Sequence, residues 1–220
     1  MLFGALPLAA YAIGSTPFGV IIARAHNTDL RITGSGNVGA TNVGRVIGRK
    51  WGYLCFILDV LKGFLPVLLA GIYLRWSDDE VLSAYKQAVW LAVAFGAIAG
   101  HVFSFWLKFH GGKGVATSLG VLLGFYPYYT WAGLAALVIW VVVVLLGRYV
   151  SLASIIAAGA FPLLFVGDCL LFDRSVGQLW PLLAFAAAMA GLVIIRHRSN
   201  IARLLNGTEN KIKKRRRLPT

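Results

Sequence analysis

Seven stretches of this chain run for four or more helical turns with hardly a charged side chain, which excludes most folds at the outset. They extend from Leu2 to Ala23, Trp51 to Leu74, Ala84 to Leu107, Gly114 to Tyr128, Thr130 to Leu146, Leu152 to Leu171 and Leu179 to Ile195. About 20 apolar residues carry a helix across a bilayer, a length that all but the fourth stretch approach. The stretches are apolar throughout and do not alternate as barrel strands do. With 59% hydrophobic and 13% charged residues among 220, the chain has more apolar surface than a soluble core of that length can hide. The mean hydropathy of +0.76 agrees. The expected fold is an all-α integral membrane protein of seven transmembrane helices. It forms a single domain over residues 1–220 that ends in a basic tail at 207–220. The first stretch has no basic residue ahead of it and reads as a span, not a cleavable leader.

Charge then orients the helices. The net charge is +13, which in a soluble protein would point to nucleic acid. Here the placement of charge explains it without such a partner. Arg24, Arg31, Arg45, Arg49 and Lys50 follow the first stretch, Lys108 and Lys113 the third, and Arg148 the fifth. Nine more basic residues, from Arg196 to Arg217, follow the seventh. The opposite side holds only Arg75, Lys86 and Arg174, along with Asp78, Asp79, Glu80, Asp168 and Asp173. This bias predicts an outside N-terminus and a cytoplasmic C-terminus, with the tail from Lys211 to Arg217 lying on anionic lipid. The two cysteines, Cys55 and Cys169, fall in different apolar stretches and read as packing residues.

Polar chemistry is concentrated in the loops on the basic side. The first reads Thr33-Gly34-Ser35-Gly36-Asn37-Val38-Gly39-Ala40-Thr41-Asn42-Val43-Gly44-Arg45. Glycines let a backbone approach an anion and turn its N–H groups inward. Ser35, Asn37, Thr41 and Asn42 add short polar groups, and Arg45 adds a forked cation suited to phosphate. A tight turn without a ligand is the plainer alternative. A second loop, Lys108-Phe109-His110-Gly111-Gly112-Lys113-Gly114, opens a helix whose N-terminus would attract anions. It is not a nucleotide-binding P-loop, because Leu107 stands where the first glycine belongs and Gly114 follows the lysine. Ser151 either caps the sixth helix or joins a phosphate site.

After the seventh stretch comes Arg196-His197-Arg198-Ser199-Asn200-Ile201. A continuing helix would put His197 and Asn200 on one face, and the two arginines would hold the imidazole neutral as a candidate base. Asp59 and Lys62, three apart inside the second stretch, are expected to pair, as charges in lipid do. His101 is a packing residue or a ligand. Ser15-Thr16-Pro17-Phe18-Gly19 interrupts the first helix. The histidines are scattered, and the basic side holds only Asp29 and Glu209 as acids, so no metal is expected.

As an ordered set these motifs resemble the bacterial membrane glycerol-3-phosphate acyltransferases that use acyl phosphate as donor, the PlsY family. The resemblance covers nearly the whole chain. It rests on Gly14 to Gly19, Gly34 to Arg45, Asp59 to Gly63, Gly100-His101, Gly111 to Thr117, Tyr149 to Ser151 and Arg196 to Ile201. It implies a seven-helix enzyme of the bacterial plasma (inner) membrane with its active site at the cytoplasmic face. The implied reaction moves a fatty acyl group from acyl phosphate to the 1-hydroxyl of glycerol 3-phosphate. Lysophosphatidic acid and phosphate are the products, with no cofactor and with membrane lipid as the surroundings.

By the same resemblance Ser35, Arg45, Lys113, His197 and Asn200 hold glycerol 3-phosphate. Ser35, Lys113 and His197 are the catalytic candidates, with His197 as base or anchor. Gly36, Asn37, Gly39, Thr41, Asn42, Gly111, Gly112, Gly114 and Ser151 hold the donor's phosphate. Two positions depart from the family pattern, Ser104 where proline is frequent and Ser199 where an acid is frequent. No His-x-x-x-x-Asp signature of the CoA-linked acyltransferases occurs: the residues five beyond the histidines are Arg31, Trp106, Val115 and Ala202. A transporter for a small anionic solute is the competing reading. It lacks the internal repeat that such folds commonly show, and a purely structural membrane protein leaves the glycine-rich loops without a reason.

Overall fold

A computed structural model describes residues 2–75 and 83–212. Asp78, Asp79, Glu80, the Arg75 side chain and the tail cations from Lys213 to Arg217 lie outside the described set. Every regular element among the described residues is a helix. The first span is broken as expected, into α1 (Leu2–Ser15) and α2 (Phe18–Arg24). Pro17 lacks an N–H and disfavours helical backbone at Thr16, so the ladder stops there. The carbonyls it frees find partners in the second apolar stretch and on the turn late in the third. Ser104 Oγ donates to Ser15 O at 2.6 Å, and Lys62 Nζ to Thr16 O at 2.8 Å. One of the two departures from the family pattern, Ser104, thus closes this break.

A short α3 (Ala40–Val46) leads into the long α4 (Arg49–Arg75). Next come α5 (Ala84–Val102), a 3-10 turn at Phe105–Leu107, α6 (Val115–Gly124), α7 (Thr130–Gly147) and α8 (Val150–Leu171). The last two, α9 (Trp180–Arg196) and α10 (Arg198–Leu205), meet at a 57° bend. Five helical stretches are long and apolar enough to cross a bilayer, or six with the bent pair counted as one. The fourth apolar stretch falls short of its expected end at Tyr128. Its helix, α6, has ten residues and reaches about 15 Å, half the thickness of a hydrocarbon core. Pro127 keeps the chain from continuing as helix, and it proceeds as turns to the far end of the bundle. There Arg174 donates to Pro127 O at 3.4 Å.

Packing is inverted relative to a soluble protein. Leu146 is 81% exposed and Leu163 75%, while Lys62 and Asp59 are buried. Helices approach one another through glycines, as they do in lipid, where tails are as apolar as side chains. A Cβ on Gly100 would stand 2.3 Å from Tyr11 O, and one on Gly120 2.0 Å from Val60 O, so α1 lies against α5 and α6 against α4 nearly backbone to backbone. The far half of the bundle is filled by aromatic rings. Tyr129 lies 5.0 Å from Phe125, 5.2 Å from Phe161 and 4.9 Å from Phe165, centroid to centroid.

Candidate active site

Four of the predicted site residues come together at the basic end of the bundle, around an acid that the sequence did not single out. Lys113 Nζ donates to Asn200 Oδ1. Asn200 Nδ2 donates to Glu209 Oε1 at 2.7 Å, and Ser151 Oγ donates to the same oxygen at 2.9 Å. Arg203 Nε donates to Glu209 Oε2 at 2.7 Å. One carboxylate therefore ties the start of α8, the α9–α10 junction and α10 to the lysine that opens α6. The tail reaches it by folding back across the α7–α8 turn, where Ile212 N donates to Arg148 O and the Arg148 guanidinium donates to Ile212 O. Burial lowers the Lys113 ammonium to about 8 against the pull of Glu209, with Arg203, Arg196 and Arg45 lowering it further. Arg45 thus stands within electrostatic reach of the corner.

His197 sits at the bend, just past the last residue of α9, and its backbone oxygen accepts from Asn200 N and Ile201 N. The bend corrects the expectation of one continuing helix, although both His197 and Asn200 are buried in the corner. Its Nδ1 lies 2.7 Å from Val193 O. A carbonyl only accepts, so Nδ1 carries the proton and Nε2 keeps a lone pair. The imidazole is held down to about 4, chiefly by burial, with Lys113 and Arg196 adding to it. Of the two arginines expected to do this, Arg198 is exposed, and Arg196 contributes less than burial or Lys113.

The glycine loops are built differently from the expectation. Gly111 N donates to Val102 O at 3.0 Å and Gly112 N to His101 O at 3.1 Å, while Arg196 Nη2 donates to both of their carbonyls. Their N–H groups are therefore committed inside the protein and not turned to an anion, and Gly36 N likewise donates to Thr33 O. Asn42 is buried with its amide occupied. Its Oδ1 accepts from Ser35 N and Arg45 Nη1, and its Nδ2 donates to Leu30 O and Thr33 O. It braces the loop and has no atom left for a ligand. Gly39 and Gly114 are the N-caps of α3 and α6, beside first-turn N–H groups that have no partner within the helix. Ser151 is not the cap expected for its helix. Tyr149 holds that position, and the serine hydroxyl faces Glu209 from the first turn. Ser35, Thr41 and Arg45 are exposed, and Asn37 half-buried, on the neighbouring loop. Among the described residues no hydrogen bond joins these four side chains to the Lys113 corner.

Behind the corner lies a buried cluster. Lys62 Nζ pairs with Asp59 Oδ1 at 2.8 Å, as expected, and His101 Nδ1 lies 3.7 Å from the same oxygen. A Cβ on Gly112 would stand 2.2 Å from His101 Nε2, so the glycine loop can seat only against a bare Cα. Glu209, Arg203 and the loop-holding role of Arg196 were missed by reading the sequence. The one signal was Glu209 standing alone among the tail's cations.

Below the corner, between α4, α5, α6, α7, α8 and α9, runs an apolar cavity of about 830 Å³, part of it open to the surroundings. Its lining begins at Val115, Ser154 and Val193, each within about one helical turn of Lys113, Ser151 or His197.

A bundle of apolar spans with a cationic, hydrogen-bonding corner above an apolar cavity defines an integral membrane protein equipped to handle an amphiphilic anion. The glycerol-3-phosphate acyltransferase family profile matches residues 4–207, and the chain belongs to that family. Its relatives include the glycerol-3-phosphate acyltransferases of Geobacter sulfurreducens, 44% identical over 94% of this chain and 96% of that one, and of Brucella suis, 44% identical over 96% and 94%. Among solved structures it resembles PlsY (YgiH), an integral membrane glycerol 3-phosphate acyltransferase, in its glycerol 3-phosphate form. The TM-score is 0.81 and the identity 38%, over 97% of this chain and 96% of that one. The lysophosphatidic acid form of PlsY gives a TM-score of 0.78 at 37% identity, with the same coverage.

Proposed function

We propose that this protein transfers a fatty acyl group from acyl phosphate to the 1-hydroxyl of sn-glycerol 3-phosphate, the first acylation step of phospholipid synthesis. The observation that carries the reading is the junction of the Lys113–Asn200–Glu209–Ser151 corner with the mouth of the apolar cavity. Two phosphates and one acyl chain have to meet there, and the glycerol 3-phosphate and lysophosphatidic acid forms of PlsY hold one substrate and one product of such a reaction. Lys113 and Arg45 neutralise the glycerol 3-phosphate, with Ser35, His197 and Asn200 completing its site. Ser151, Asn37 and Thr41, with the first-turn N–H groups beside Gly39 and Gly114, take the donor's phosphate. The acyl tail lies in the cavity.

The glycerol 1-oxygen attacks the acyl carbonyl carbon. A new ester C–O bond forms, the C–O bond to phosphate breaks, and inorganic phosphate leaves. The hydroxyl proton passes to His197 Nε2 and then to solvent. Acyl phosphate is already an activated anhydride, so orientation and charge neutralisation carry most of the acceleration.

The proposal includes a seven-pass topology in the bacterial plasma membrane, N-terminus outside and C-terminus cytoplasmic. Two facts support it. The cations of the corner all lie at one end of the bundle. The chain also leaves that end at Lys113 and returns to it at Arg148, so α6 and the turns after it must cross between.

The test uses purified protein in lipid with acyl phosphate and glycerol 3-phosphate, and acyl-CoA in a parallel reaction. Phosphate and lysophosphatidic acid should form in equal amounts from acyl phosphate alone. Transfer from acyl-CoA would overturn the donor assignment, and well-folded protein that makes neither product would overturn the enzyme reading.

A further inference from the structure

Toward its far end the apolar cavity is lined by aromatic rings that no part of the reaction uses. Phe161 and Phe185 are the lining residues farthest from the corner along α8 and α9. Phe161 is backed by Tyr129 at 5.2 Å and Phe185 by Phe125 at 6.3 Å between centroids, and both backing rings are fully buried. Phe125 and Tyr129 touch each other at 5.0 Å, so the floor is one continuous aromatic block. Phe161 lies ten residues along α8 from Ser151, and Phe185 twelve residues along α9 from His197. At helical rise these separations correspond to about 15 and 18 Å below the corner. An extended chain advances about 1.2 Å per single bond, so roughly 12 to 15 carbons fit between the corner and the floor.

We propose that Phe161 and Phe185 are the stop that sets the preferred acyl-chain length of this enzyme. The inference rests on the acyl-transfer reading above. An apolar groove cannot select length by attraction in a membrane protein. The tail leaves lipid that is as apolar as the cavity wall, so each added methylene gains almost nothing on entry. A solid end selects by shape. A chain that overruns the floor must force packed rings aside or bend out through the open flank, with a loss of roughly five- to a hundredfold in kcat/KM. Ala157 lies one turn nearer Ser151 on the same face of α8 as Phe161 and also lines the cavity, so it offers a place to raise the floor.

The experiment supplies full-length protein in lipid with an equimolar mixture of acyl phosphates of about 10 to 20 carbons. The masses of the acyl-glycerol phosphates are then read. Wild type should show a maximum and a fall beyond it. Phe185→Ala should move the maximum longer by roughly two to four carbons, and Ala157→Phe should move it shorter by roughly four. The product distribution is a ratio within one sample, so a partly unfolded variant still reports it, and Phe161→Leu substitutes if Phe185→Ala is inactive. Unmoved maxima in the floor variant and in Ala157→Phe would overturn the stop while leaving the acyl-transfer reading intact. No acylated product from wild type would overturn that reading instead.

Discussion

Replacing Glu209 with Gln should move the alkaline limit of activity down by about one pH unit. Glu209 is the one acid among the groups that shift Lys113, and it opposes the effect of burial. The two charges are separated by the Asn200 amide, which accepts from the lysine and donates to the carboxylate. Charges about 7 Å apart at an effective dielectric near 20 interact by about 2.4 kcal/mol, and screening by water and salt at this end of the bundle leaves roughly half of that. One pH unit corresponds to about 1.4 kcal/mol. In the proposed mechanism Lys113 works as a cation, so kcat/KM is full below its pKa and is lost as pH rises through it. Wild type should lose half its activity at about 8, and Glu209→Gln at roughly 7. The variant would then fall about fivefold below wild type at pH 8, and far less at pH 6. Gln keeps an oxygen for Asn200 and Ser151, so the corner retains most of its shape. Phosphate release measured across pH at limiting glycerol 3-phosphate reads the limb directly. Lys113→Arg serves as the control and should lose the limb altogether, because a guanidinium stays protonated. A Glu209→Gln limb that coincides with wild type would refute the coupling of Glu209 to Lys113.

Two further outcomes follow from the buried groups. His197→Ala should lower kcat at saturating substrate by about 10² to 10⁴ and abolish any acid limb near 4. Near-normal turnover would assign the proton to the substrate phosphate and leave His197 as an anchor. Asp59→Asn and Lys62→Met should each destabilise the fold by about 3 to 5 kcal/mol in thermal unfolding, while the double variant recovers most of the loss. A double variant no more stable than either single one would show that the charges do not act as a pair.

The apolar stretches and the break at Pro17 were legible because each depends on local chemistry, namely runs long enough to span a bilayer and a ring that cannot donate. The membership of Lys113, Ser151, His197 and Asn200 in one site was legible only through the ordered motif set, since no pattern within any one loop reports where another loop lies. What escaped was the direction of individual groups. Glycines at 111 and 112 read as a phosphate cradle, yet the same absence of side chains also lets a loop press against His101, and the packed arrangement shows the second use. Asn42 read as a ligand because a short amide in a glycine loop can face outward or inward with equal ease. Glu209 escaped because a lone acid in a basic tail looks like solvated surface until the tail is seen to fold back over Arg148.

The weakest of the seven apolar stretches by length is the one on which the architecture of the site turns. A full-length fourth span would carry helix through the far half of the bundle, and the cavity between α6, α7, α8 and α9 would end against an ordinary helix surface or remain open. Because α6 stops at Gly124, the residues after it, Phe125 and Tyr129, pack inward behind the lining rings Phe185 and Phe161. Lys113 and the N-cap Gly114 immediately precede the same short helix at the other end, so its N-terminus and the cation stand at the cavity mouth. Helix ends attract anions and aromatic rings exclude water. Ten residues of helix therefore separate a charged corner from an apolar floor by roughly the length of a lipid tail. In the proposed reaction an amphiphilic donor lies with its head at Lys113 and its tail toward Phe161. In the proposed reaction that polarity brings the carbonyl toward His197 while Ser151 and the loop donors hold the phosphate.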